Sequence, residues 1–142
     1  MLKFALLACL VALALCQAPP FLERAPAAKQ KEFGQLLEGL AANTDDQVDS
    51  EVKKWVAKQD ASIQAAFAQF QKTVADEQAK GEQAHQAALA KFSPAAKDAD
   101  AKLSAIANNK GLTVQQKGQQ IDALLTSLPA NVRQEIEAAM QG

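Results

Sequence analysis

Apolar residues fall into three patterns along this chain: an unbroken run, a proline-broken stretch, and then stripes at helical spacing to the end. The run covers residues 4–15 behind a single basic residue, Lys3. It is too short to span a bilayer. With small residues Ala14 and Cys16 just ahead of Gln17, residues 1–16 read as a secretory signal peptide cut before Gln17. A lipid anchor on Cys16 fits poorly, because Leu15 is bulky for the position before a lipidated cysteine. Three prolines then fall within residues 17–26, which predicts an extended Pro-rich arm with Phe21 and Leu22 available to pack on the body.

From residue 27 the period is helical. Phe33, Leu36, Leu37 and Leu40 recur at i, i+3, i+4, i+7 and predict a helix over 27–42. Thr44 and Gln47 form a T-x-x-Q capping box ahead of the stripe Val48, Val52, Trp55, Val56. Asp60 caps a long helix over 61–92, seamed by Ile63, Phe67, Phe70 and Val74. Ser93 and Pro94 restart the chain as cap and first helical residue. Ala96, Ala99, Leu103, Ile106 and Ala107 mark the fourth buried face. Thr113 and Gln116 repeat the capping box before Ile121, Leu124, Leu125 and Leu128, and Pro129 separates off a last helix with Val132, Ile136, Ala139 and Met140.

The fold class is therefore all-α: five to six helices in two helix-loop-helix halves joined by a long central helix, with residues 27–142 as a single helical domain. The halves echo each other. Leu37-Glu-Gly-Leu40 before the Thr44 box parallels Leu103-Ser-Ala-Ile106 before the Thr113 box, with three more residues in the second loop. The central helix would run roughly 48 Å in a domain about 36 Å across. Between Asp76 and Gln86 its expected face offers only alanines and Gly81, so an exposed or bent middle follows.

Composition sharpens this. Both cysteines, Cys9 and Cys16, lie in the leader, so the mature chain holds together without disulfides, unlike most small exported domains. Fifteen basic residues face sixteen acidic ones, and Lys3 leaves with the leader. Such a balance gives no electrostatic footprint for nucleic acid or an anionic membrane. Catalytic motifs are missing too. His85 is the lone histidine and falls in the most polar stretch of the long helix, where it reads as a solvated surface residue. No serine stands in a G-x-S-x-G elbow, and the glycines are too scattered for a phosphate loop. The chain reads as a non-enzyme.

The one polar cluster with chemical content is the first turn of the second helix. Asp45 and Asp49 are i, i+4 neighbours and Asp46 is three residues from Asp49, so three carboxylates share a side and repel. A hard cation relieves that repulsion, and magnesium suits it, since Mg2+ accepts one or two carboxylates plus retained waters. The plainer reading is that these acids complement the helix dipole.

Three stretches, APPFLERAPAAKQKEF, SPAAKDADAKLSAIANN and LTVQQKGQQIDALLTSLPANVRQEIE, resemble the nematode SXP/RAL family of small secreted antigens, which includes anisakid allergens. The most specific parts are Ser93-Pro94-Ala-Ala-Lys97, Gln116-Lys117 with Gln120-Ile121, and Ser127-Leu-Pro129 before Val132-Arg133. The resemblance implies an all-helical fold, export by a parasitic worm, recognition by host antibodies, and a cation-binding role on a helix arrangement likened to calcium sensors. Neither loop here carries the full ligand set of a calcium site. Three readings follow: a secreted magnesium-like cation binder using Asp45, Asp46 and Asp49; a carrier whose Phe21, Leu22, Trp55, Phe67 and Phe70 enclose a small apolar ligand; or an interaction protein pairing through the seam from Ile63 to Val74.

Overall fold

A computed structural model describes residues 18–141, so the leader and its two cysteines lie outside the described residues. A 3-10 turn, Pro20–Leu22, precedes six helices: α1 (Ala27–Gly39), α2 (Asp45–Ala57), α3 (Ala61–Leu89), α4 (Pro94–Ala107), α5 (Val114–Ser127) and α6 (Ala130–Gln141). No strand occurs among the described residues. The chain is all-α.

Local chemistry sets the helix starts. The Asp60 carboxylate accepts from the amides of Ser62 and Ile63 at 3.0 Å each, satisfying two orphan donors of α3. The Ser93 hydroxyl accepts from the Ala96 amide at 3.2 Å, and Pro94 opens α4. Both T-x-x-Q boxes close. Gln47 returns its Oε1 to the Thr44 amide at 2.9 Å, and Gln116 does the same for Thr113 at 2.9 Å.

Side chains bury in two clusters. The larger gathers Phe21, Leu22, Phe33, Leu37, Leu40, Val48, Val52, Trp55, Val56, Ile63 and Phe67. Its aromatics interlock: Phe21 lies edge-on to Phe33 at 5.3 Å and to Phe67 at 5.0 Å, and Phe33 stands 4.9 Å from Trp55. The smaller gathers Phe92, Ala96, Ala99, Val132 and Ile136. It contains a single aromatic; Leu103 and Leu128 pack against it half-buried, and Ile106, Ile121, Leu124 and Leu125 are half-buried as well. The predicted stripes of α4 and α5 thus find only partial cover; the Met140 side chain lies outside the described set.

Several expectations shift. The arm is not extended throughout. Pro20 fixes a 3-10 turn that drives Phe21 and Leu22 into the larger cluster, and the Gln30 side-chain amide donates to the carbonyls of Leu22 and Ala25, both at 3.0 Å. α1 ends at Gly39 and α3 at Leu89, each three residues before its predicted end. Phe92, in the turn after α3, still reaches the smaller cluster. α3 is continuous through Gly81, and from residue 75 to its end at Leu89 none of its residues is buried.

Candidate cation site at the loop junction

The loop between α1 and α2 lies against the loop between α4 and α5. Thr44 and Thr113 form an antiparallel bridge. The Val114 amide donates to the Asn43 carbonyl and the Gln115 amide to that of Ala41, both at 3.0 Å. Val114 packs on the larger cluster and, with Leu37, Leu40, Ala41 and Val48, lines an apolar cavity of about 40 Å3. That volume admits little more than a water molecule.

Asp45 opens α2 at this junction, where a carboxylate complements the positive end of the helix dipole. Its side chain is 13% exposed, and its Oδ2 accepts from the Lys117 ammonium. Lys117 stands in the first turns of α5 with only 3% of its side chain exposed. Its ammonium also donates to the Ala107 carbonyl at 2.8 Å, the last residue of α4 and one of that helix's orphan acceptors. A buried ammonium survives only with such acceptors around it. The other carboxylate oxygen, Asp45 Oδ1, is buried with no hydrogen-bond partner.

The remaining two aspartates point to other arrangements. Asp49 holds Lys53 at 3.0 Å, one turn on, and Asp46 is exposed. Among the described residues no three His, Cys, Asp or Glu side chains are placed to hold a metal ion. The loop opposite, residues 108–113, brings carbonyls and amides but no carboxylate. In this arrangement the acidic turn is not a ready metal cage, since Lys117 and Lys53 already pair with Asp45 and Asp49. Asp45 Oδ1 is a buried carboxylate oxygen without a hydrogen-bond partner.

Sequence reasoning missed Lys117. One signal pointed to it: counting back four from Ile121, the stripe of α5 lands on this lysine, which is the buried residue of the helix. Two further polar clamps hold the fold. The Ser93 amide and hydroxyl donate to Glu135 at 2.6 and 2.8 Å, tying α6 to the start of α4 and holding that carboxyl below its usual range. Trp55 donates its indole N–H to Glu32 at 2.7 Å. Lys29 first and Trp55 second hold Glu32 below its usual range. His85 is not free on the surface: its Nε2 lies 3.3 Å from Asp100 on α4, with 39% of the side chain exposed.

The residues of the carrier reading pack on one another. Phe21, Leu22, Trp55 and Phe67 are buried within the larger cluster, and Phe70 sits 5.4 Å from Phe21. The seam of the pairing reading is likewise turned inward, with Ile63, Phe67 and Val74 buried within the chain. No helix among the described residues is long and apolar enough to cross a membrane.

The family model described as "SXP/RAL-2 family protein Ani s 5-like, metal-binding domain" matches residues 1–141. The OV-17 antigen of Onchocerca volvulus is 44% identical over 124 residues, covering 87% of this chain and 76% of that protein. The SXP/RAL-2 family protein Ani s 5 of Anisakis simplex is 36% identical over 137 residues, covering 94% and 90%. No solved structure matches. The match runs through both loops and all six helices, and the chain belongs to the SXP/RAL-2 family.

Proposed function

We propose that this is a secreted, non-enzymatic antigen-type protein whose acidic turn binds a divalent, magnesium-like cation weakly. The observation that carries the reading is the buried, unpartnered Oδ1 of Asp45, at a helix start with Asp46 and Asp49 close by in the sequence. The family description names a metal-binding domain, which supports it. Secretion rests on the apolar leader over residues 1–16. Host antibodies are the macromolecular partner that the antigen relative points to.

Asp45, Asp46 and Asp49 would hold the ion, with water completing its shell. Affinity is low because lysine ammonium groups must first give way, and we expect dissociation constants of roughly 0.1 to several millimolar. The test is a magnesium titration followed by amide NMR. Signals of residues 45–51 should move more than those of 109–116. Asp45→Asn with Asp49→Asn should abolish the movement and leave the helix intact. Equal movement in both loops, or movement that survives the double substitution, places the ion elsewhere.

A further inference from the structure

We infer that Lys117 is the resident cation of the loop junction: its tethered ammonium closes the contact between the turn of α2 and the end of α4, and a divalent ion has to compete with it. The second half of this inference rests on the cation-binding reading above; the first half does not.

Position comes first. Lys117 is the fourth residue after Thr113, and the fourth residue after Thr44 is Val48, which is 2% exposed. The two loops and caps are paired across the Thr44–Thr113 bridge, so the same place in each α-helix faces inward. One carries a valine and the other an equally buried lysine, at 2%. Packing alone asks for an apolar residue here, because a buried ion pair seldom adds stability over apolar side chains of like volume.

The ligand chemistry comes second. The ammonium meets a carboxylate oxygen from α2 and a main-chain carbonyl from the C-terminus of α4. Carboxylate and carbonyl oxygens are the donors that hard cations take. The negative end of the α4 dipole adds to them. Lys117 thus joins two loops as a bridging metal ion would, from a stem that never leaves the site. Tethering gives it a high effective concentration at Asp45, which a free ion must exceed.

Three measurements on the full mature chain test this, with magnesium chloride as the probe. In the unmodified protein, a chelator should leave the thermal midpoint unchanged, since the junction contains its own cation; a fall on chelation overturns the inference. Lys117→Met keeps the stem and removes the charge. It should tighten magnesium binding at Asp45 at least tenfold. If Asp45→Asn abolishes the magnesium response but Lys117→Met leaves affinity as it was, the acidic turn binds the ion and Lys117 is no competitor. If Asp45→Asn leaves the response untouched, the ion sits elsewhere and both readings fall. Should Lys117→Met fail to fold, the unmodified protein still decides. The 15N signal of the Lys117 ammonium, slowed in exchange by burial, should broaden or shift as magnesium fills the Asp45 turn. An ammonium signal unmoved while the Asp45 amide saturates overturns the inference.

Discussion

Replacing Leu22 by alanine tests whether the short segment before α1 is part of the core or an appendage. Leu22 is fully buried (0% exposed), on a turn whose carbonyl is held by Gln30. Its neighbour Phe21 is wedged between Phe33 and Phe67. The substitution removes three carbon groups, worth about 2.4 kcal/mol at roughly 0.8 kcal/mol each. The cavity left behind adds to this, and large-to-small core substitutions of this kind cost about 2–5 kcal/mol. A surface turn can settle partway into the gap, so about 3 kcal/mol is expected. Against a typical domain stability of roughly 5–15 kcal/mol, that is a substantial fraction.

Urea unfolding followed by tryptophan fluorescence measures it. Trp55 is the single tryptophan and sits in the same cluster. The transition midpoint should drop while its slope stays constant, because the surface exposed on unfolding barely changes. The thermal midpoint should fall by about 10 °C. Leu125→Ala serves as the comparison: Leu125 is half-buried, and roughly 1 kcal/mol is expected there. A loss at Leu22 no larger than that at Leu125 would refute the reasoning and make the arm a detachable tail.

Asp45→Asn should cost about 3 kcal/mol by removing the counter-charge of the buried Lys117 ammonium, and adding Lys117→Met should restore most of it; additive losses in chemical denaturation would mean the pair is not coupled. Acid should weaken the fold in a defined window. Glu32, Asp60 and Glu135 are all held below their usual ranges, Asp60 chiefly by the Ile63 amide, so their contribution is complete above their unfolded values near pH 4 and is lost as pH falls through the lower folded values. Urea midpoints should therefore be flat from pH 7 to 5 and decline below about 4, with a shallower decline in Glu135→Gln; an unchanged slope there would remove the Ser93 clamp from the account. Reductant should leave the thermal midpoint of the mature chain unmoved, and a drop with dithiothreitol would mean that Cys9 or Cys16 is retained. Amide exchange should be slow over 67–74 and fast over 77–86, and uniform protection along α3 would contradict its exposed middle.

Helix number and helix starts were legible in the sequence because the determinants are local. Asp60, Ser93 and Thr113 each accept from orphan amides within three residues of themselves, and Gln47 accepts from the Thr44 amide at the same spacing, so spacing alone reveals them. Helix ends were less legible. Leu40 and Phe92 carry the apolar period onward and bury in their clusters from the turn after the helix, which pattern cannot separate from one more helical turn. The arm was legible in part: Phe21 and Leu22 were expected to pack on the body and do, but its backbone is not extended throughout. Its prolines exclude a long helix but are compatible with a 3-10 turn, and Phe21 turns inward because the aromatic cluster of α1, α2 and α3 receives it.

The acidic turn shows where reading by residue type runs out. Asp45, Asp46 and Asp49 look alike as letters, and on an isolated helix they would share one repulsive side. The fold gives two of them different cations: a buried lysine 72 positions away, on another helix, for Asp45, and a lysine one turn on along the same helix for Asp49. The long-range partner carries the larger energetic weight, because a charge pair matters most where water is excluded. It was also the harder one to see, since a lysine on an apolar stripe is ordinarily read as the edge of that stripe. At this junction the polar residue on the apolar face is the functional clue. On the proposed cation-binding reading, the competing charge is Lys117 on α5, across the bridge from the carboxylate that would bind the ion.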